Sequence, residues 1–229
     1  MNFPQFLMPK TAKSLSCFFN RRLLTAAMTA ITTLSLGGVA LAESPTHPLM
    51  VNDTLNAQVK SQVKGNSEQG EVITFEVAED ATRFVFDDAP LLDNGFPGYG
   101  NSFVTQGYIY PSGTLNGSNG VNSDGSPEFP ELVIGRWVCR GWFINPEGAA
   151  ASSGEFVITT QMYNFGETLG NETLVSDGWE LADVGKPVAR AIIGGTGRYS
   201  AASGEAVQRF LGFNTTEGVN LEFELTVED

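Results

Sequence analysis

The chain has 229 residues, with 26 Asp and Glu against 13 Lys and Arg and a single histidine, His47. An acidic surface of this kind repels nucleic acid and anionic lipid headgroups. One histidine leaves no room for histidine-based catalysis or for most zinc sites.

The first 42 residues read as a secretion signal. Lys10, Lys13, Arg21 and Arg22 precede an uncharged run from Leu23 to Ala42, which ends Val39-Ala40-Leu41-Ala42. A basic start, an apolar middle and an A-x-A-like site predict cleavage near Ala42 and export to the periplasm or beyond. The rival reading is an uncleaved membrane anchor, but the run holds four Thr, one Ser and two Gly, weakly apolar for a span, so no membrane span is expected after cleavage. Arg21-Arg22 also permits a twin-arginine signal. The portion from residue 43 onward keeps nine basic and all 26 acidic side chains. Its only cysteine is Cys139, so no intramolecular disulfide is expected there. Residues 43–70 are polar, carry Pro45, Pro48, Gly65 and Gly70 and show no sustained period, and they read as a flexible N-terminal arm.

From Glu71 the pattern becomes that of strands. Ile73, Phe75 and Val77 alternate with Thr74 and Glu76, and Arg83–Phe86 continues or pairs with that strand. Ser102–Tyr110 is the next strand, and Pro111–Pro130, rich in Gly, Ser, Asn and Asp, is a surface insertion or a lid. Glu131–Ile144, Glu155–Phe165 and Glu172–Leu181 follow as strands, and Pro187–Ile193 leads into Gly194-Gly195-Thr196-Gly197.

That glycine cluster is read as a sharp reversal into a further strand at Ala206–Leu211. A phosphate-binding G-x-G-x-x-G needs a third glycine where Ser200 stands, then a helix and βαβ units; the remaining residues instead alternate like strands. The last strand is the cleanest, with Val219, Leu221, Phe223, Leu225 and Val227 on one face. About eight strands without a helical period predict an all-β fold, an eight-stranded antiparallel β-barrel over residues 71–229, whose interior can hold one small ligand.

Several of these segments resemble the allene oxide cyclase/dirigent barrel superfamily. Ile193-Gly194-Gly195-Thr196-Gly197-Arg198-Tyr199 with Gly204 is similar to the family's G-G-[TS]-G-x-[FY]-x-x-x-x-G turn. Gln106-Gly107-Tyr108 is similar to a dirigent strand, Asn164-Phe165-Gly166-Glu167 to a cyclase turn, and Arg140–Ile144 lies where cyclases have a glycine-bearing strand. The resemblance implies a barrel, often trimeric, with a mostly apolar cavity. Its members close a reactive fatty-acid epoxide or steer the coupling of radicals made by another enzyme. It also implies that Glu76 matches the carboxylate cyclases place inside the barrel. The departures are specific. Phe143 stands in place of the cyclase pocket cysteine, Ala78 in place of an Asn, and Ser200–Ser203 where dirigent proteins carry an arginine.

Glu76 is thus either a pocket acid or base or a solvent-facing glutamate. Tyr108, Trp137, Tyr163 and Trp179, with Gln106 and Phe143, are candidate ligand-facing side chains, although aromatic residues in strands also build cores. Arg136, Arg140 and Trp142 share a face and either clamp a carboxylate or pair across strands. Cys139 reads as a buried small hydrophobe, and Asp87, Asp88, Asp93 and Asp124 lack a calcium-loop pattern. No metal or cofactor is expected.

The expected function is an exported, homo-oligomeric barrel that binds a small apolar or phenolic molecule and shapes its isomerisation or cyclisation. The alternative is a non-catalytic binding or structural barrel of the periplasm or cell surface. A cavity containing Glu76 marks the first; a barrel filled by side chains marks the second.

Overall fold

A computed structural model describes residues 70–228; the expected signal and the arm up to residue 69 lie outside the described residues. Nine strands run through the described part: β1 (Glu71–Glu79), β2 (Val85–Phe86), β3 (Ser102–Pro111), β4 (Gly135–Phe143), β5 (Glu155–Phe165), β6 (Thr173–Leu181), β7 (Pro187–Gly195), β8 (Ser203–Phe213) and β9 (Val219–Glu228). Every consecutive pair from β3 to β9 is antiparallel, β9 pairs with β1, and β1 pairs with β3. That last pairing, Phe75↔Pro111 to Glu79↔Gly107, closes an eight-stranded ring. The two-residue β2 takes up β3 where β1 leaves off, through Val85↔Val104 and Phe86↔Phe103. No helix among the described residues is long and apolar enough to cross a membrane.

The reversal expected at the glycine cluster is present. β7 and β8 form an antiparallel pair, joined through a single 3-10 turn at Gly197–Tyr199. Gly197 has φ +60°, and a methyl group there would run into the Asn171 carbonyl, so both conformation and packing require glycine. The same turn places Tyr199 and Ala202 in the main core, at the end of the barrel where β1 begins.

Side-chain parity then fixes what lies inside. Ile73, Phe75 and Val77 of β1 join Trp137, Tyr163, Leu174, Ile192, Phe223 and Leu225 in one buried cluster. Phe75 stacks on Phe223 at 5.1 Å and meets Tyr163 edge-on at 5.1 Å; such pairs add about 0.5–1.5 kcal/mol each beyond burial. At the opposite end, where β1 finishes, the inward-facing Phe103 and Val219 are only partly buried, so that end, the mouth of the barrel, is the less fully covered of the two.

The Pro111–Pro130 segment is a surface insertion, and it is packed. It folds back over the outer wall and builds a second core with Leu115, Val121, Tyr110, Ala78 and Val133. The Tyr110 hydroxyl donates to the Gly120 carbonyl at 2.7 Å, and Asn220 donates to the Asn119 carbonyl at 2.9 Å. Glu76 anchors this strap: its carboxylate accepts from the backbone N–H of Gly113 at 2.9 Å and of Leu115 at 2.6 Å. Glu76→Gln turns one acceptor oxygen into a donor that faces an N–H. We expect a loss of about 1–3 kcal/mol, read by urea unfolding, with new proteolytic cleavage within 111–130; an intact strap in the variant contradicts the anchoring role.

Candidate functional site

Behind the mouth lies a layer of polar side chains in the barrel interior. They arise at inward positions of adjacent strands: Glu79 on β1, Thr105 on β3, Cys139 on β4, Thr159 and Gln161 on β5, Ser176 and Glu180 on β6, Arg190 on β7 and Gln208 on β8, all buried. Register brings Thr105 opposite Cys139 and Cys139 opposite Gln161.

Glu180 is the hub. One of its oxygens accepts from the Thr159 hydroxyl at 2.6 Å and from Gln161 at 2.8 Å, with the Cys139 sulfur at 3.8 Å. The other accepts from Gln208 at 3.0 Å, and the Arg190 guanidinium stands 3.9 Å away. Arg190 itself is engaged through all three nitrogens: Nε donates to Ser176 at 3.1 Å, Nη1 to the Trp179 carbonyl at 3.1 Å and Nη2 to the Thr159 carbonyl at 2.8 Å. The Gln161 amide is saturated. Its nitrogen serves Glu180 and Gln208, while its oxygen accepts from Trp137 at 2.9 Å and Tyr163 at 3.0 Å. Networks satisfied to this degree hold one arrangement.

Glu79 is different. Its carboxylate accepts from the Val219 backbone N–H at 2.7 Å but has no lysine or arginine partner among the described residues. Burial pushes its pKa up from 4.5 to about 7, against a pull downward from Thr105 and the Val219 N–H, with Glu180 and Asp80 adding to the rise. Thr105 lies close enough to Glu79 to draw its pKa down as a hydrogen-bond donor does, although its buried hydroxyl has no well-aligned partner among the described residues. A carboxyl of this kind exchanges a proton near neutrality, as a general acid or base requires. The Cys139 thiol is held protonated, its pKa raised by burial and then by Glu180, which agrees with its reading as a small buried hydrophobe.

Of the side chains singled out from sequence, Trp137, Phe143 and Tyr163 face the interior. Glu76, Gln106, Tyr108 and Trp179 do not, and strand parity is the reason. Glu76 alternates with Phe75 and Val77 and therefore sits on the outer wall beneath the strap. Gln106 is exposed there, Tyr108 donates to the strap carbonyl of Gly125 at 2.7 Å, and Trp179 is half exposed. Arg136, Arg140 and Trp142 share a face as expected, and it is the exposed outer face of β4. The residues that sequence reasoning missed are Glu79, Glu180, Arg190, Gln161 and Gln208. The available signal was a charged residue in phase with an apolar face: Glu79 continues the series Ile73, Phe75, Val77.

At the mouth, Phe84 stacks on Phe103 at 5.2 Å, Phe103 meets Phe143 at 5.2 Å, and Phe143 meets Phe156 at 5.4 Å. No group of three or more His, Cys, Asp or Glu side chains among the described residues is arranged to hold a metal ion.

The closed antiparallel ring of eight strands around a buried interior is a β-barrel with a dirigent-like fold. Among solved structures it is similar to a pterocarpan synthase dirigent protein, with 17% identity, a TM-score of 0.50 and coverage of 71% of this chain and 97% of that one. It is also similar to a Diels-Alderase from Streptomyces koyangensis (14% identity, TM-score 0.41, 82% of each chain). A third is a pyocyanin demethylase (15% identity, TM-score 0.42, 69% of this chain and 99% of that one). At these identities the likeness is one of fold. No family model and no curated protein matches the sequence.

Proposed function

We propose that the barrel binds a small, mostly apolar molecule through its aromatic mouth and promotes its isomerisation or cyclisation, with Glu79 as the proton-exchanging group in the place first assigned to Glu76. The single observation that carries this reading is Glu79 itself: a buried carboxyl kept without a cation, at a cost to stability, beside a hydroxyl without a well-aligned hydrogen-bond partner among the described residues. Ring faces at the mouth suit a phenolic or other flat apolar body, and the polar layer behind them orients it. Native mass spectrometry of protein purified from its own host reports a retained molecule. With that molecule or its precursor in hand, Glu79→Gln is expected to lower turnover by at least roughly 100-fold. Full turnover in the variant removes Glu79 as acid or base.

A second reading is favoured by a different observation. Trp137, Tyr163 and Arg190 fill the middle of the barrel, and Gln161 has no free donor or acceptor. A non-catalytic binding barrel accounts for that filling, and it predicts binding without turnover in the wild type.

Export and self-association belong to the same proposal. The outer wall of β4–β6 carries Trp142 and Trp179, 52% and 49% exposed, on either side of Ile158 in register, with Val138 beside Met162. Exposed apolar side chains gathered on one wall support a homo-oligomer, a trimer by resemblance. The subunit count from the same mass spectrum tests it.

A further inference from the structure

Resting on the reading that the mouth takes a small molecule, we propose that this ligand is an organic cation: a protonated amine on an apolar body, its N–H groups donating to the Glu79 carboxylate and the Thr105 hydroxyl. Charge is the first argument. Among the described residues, the barrel interior holds Glu79, Glu180 and Arg190. All three nitrogens of Arg190 are committed, to Ser176, the Trp179 carbonyl and the Thr159 carbonyl, and its charge faces Glu180 at 3.9 Å. One carboxylate is therefore left without a cation among the described residues, its aligned hydrogen bond coming from the Val219 backbone N–H. A buried charge without a counter-ion is strongly unfavourable, and a ligand cation supplies what the chain does not.

The second argument is independent. Thr105 is 3% exposed, points inward beside Glu79, and its oxygen has no well-aligned hydrogen-bond partner among the described residues. Buried polar groups are nearly always satisfied, so an open acceptor next to an unpaired carboxylate reads as a seat for a donor with more than one N–H. The third is the mouth. Phe84, Phe103, Phe143 and Phe156 form a chain of neighbouring rings, and aromatic faces attract organic cations while burying their apolar part. The acidic chain raises the local concentration of cations around it. A ligand carboxylate meets the opposite situation, since no uncommitted interior cation receives it and two carboxylates repel it.

The test uses the full chain and three probes of matched size: 2-phenylethylammonium, 2-phenylethanol and 3-phenylpropanoate, titrated by calorimetry at pH 6.5 in low salt. The ammonium is expected to bind at least tenfold more tightly than the alcohol, and the carboxylate most weakly. Binding of the ammonium should release a fraction of a proton, read from the dependence of the heat on buffer ionisation enthalpy. Glu79→Gln should abolish the preference for the ammonium over the alcohol, and Thr105→Val should weaken the ammonium several-fold. Equal affinity for ammonium and alcohol, or an ammonium preference that survives Glu79→Gln, overturns the cation assignment while the ligand-binding reading stands. No binding by any of the three overturns that reading, and the inference with it.

Discussion

Arg190→Met is expected to be the most damaging single substitution in the barrel interior, lowering stability by about 3–5 kcal/mol. The arginine side chain is fully buried, faces the Glu180 carboxylate at 3.9 Å and donates to Ser176 and two backbone carbonyls. Methionine fills much of the same volume but supplies neither charge nor donors. It leaves Glu180 buried with no cation near it and two carbonyls with fewer partners. For a domain of this size each kcal/mol shifts Tm by roughly 2–4 °C, so a fall of about 6–20 °C follows. Arg190→Lys keeps the charge and loses the fork, and an intermediate loss is expected. Urea unfolding at pH 7 separates the two contributions. A methionine variant within 1 kcal/mol of the parent would show, on the scale of a lost buried ion pair, that Glu180 does not depend on Arg190.

Glu79→Gln works in the other direction. The carboxyl has a folded-state pKa of about 7 against 4.5 when solvated, burial being the main cause. The folded protein therefore holds this proton more tightly than the unfolded chain does. The group's contribution is most favourable below pH 4.5, declines between 4.5 and 7, and is flat above that. The full decline amounts to about 3 kcal/mol. Charged groups acting on the site are Glu180 from β6 and the neighbouring Asp80. Glutamine does not titrate, and its amide oxygen still accepts from the Val219 N–H. The variant should be more stable than the parent at pH 8, by roughly 5–10 °C in Tm, and the two should converge near pH 4. Subtracting one profile from the other isolates position 79 from the remaining acidic groups. A difference that does not change with pH contradicts the raised pKa. A substitution that stabilises the fold while abolishing turnover is the expected signature of a group kept for chemistry.

Much of this architecture was legible from the residues. The alternation of Val219, Leu221, Phe223, Leu225 and Val227 marked β9 as one-sided, and all five point into the barrel. The glycine cluster was recognisable as a corner because a short apolar run stops there and another strand follows. The site was harder to see, for two physical reasons. The interior is polar at mid-height, so Thr159, Gln161 and Gln208 look like breaks in an apolar pattern when they are its continuation. The outer wall is apolar at Val138, Trp142 and Met162, so β4 and β5 show no clean difference between faces. Glu76 drew attention through resemblance, although its phase relative to Phe75 and Val77 already set it outside. Glu79, in phase with them, was masked by its position at the strand end next to Asp80.

The pairing of β1 with β9, from Glu71↔Val227 to Ala78↔Asn220, has a consequence for how the molecule comes into being. A ribosome delivers β1 first among the described strands and its neighbour last, so the earliest strand spends nearly all of synthesis with one edge bare. Closing the ring therefore requires a pairing between the two strands farthest apart in the described sequence, a long-range contact of the kind that slows folding and leaves a strand edge open until it forms.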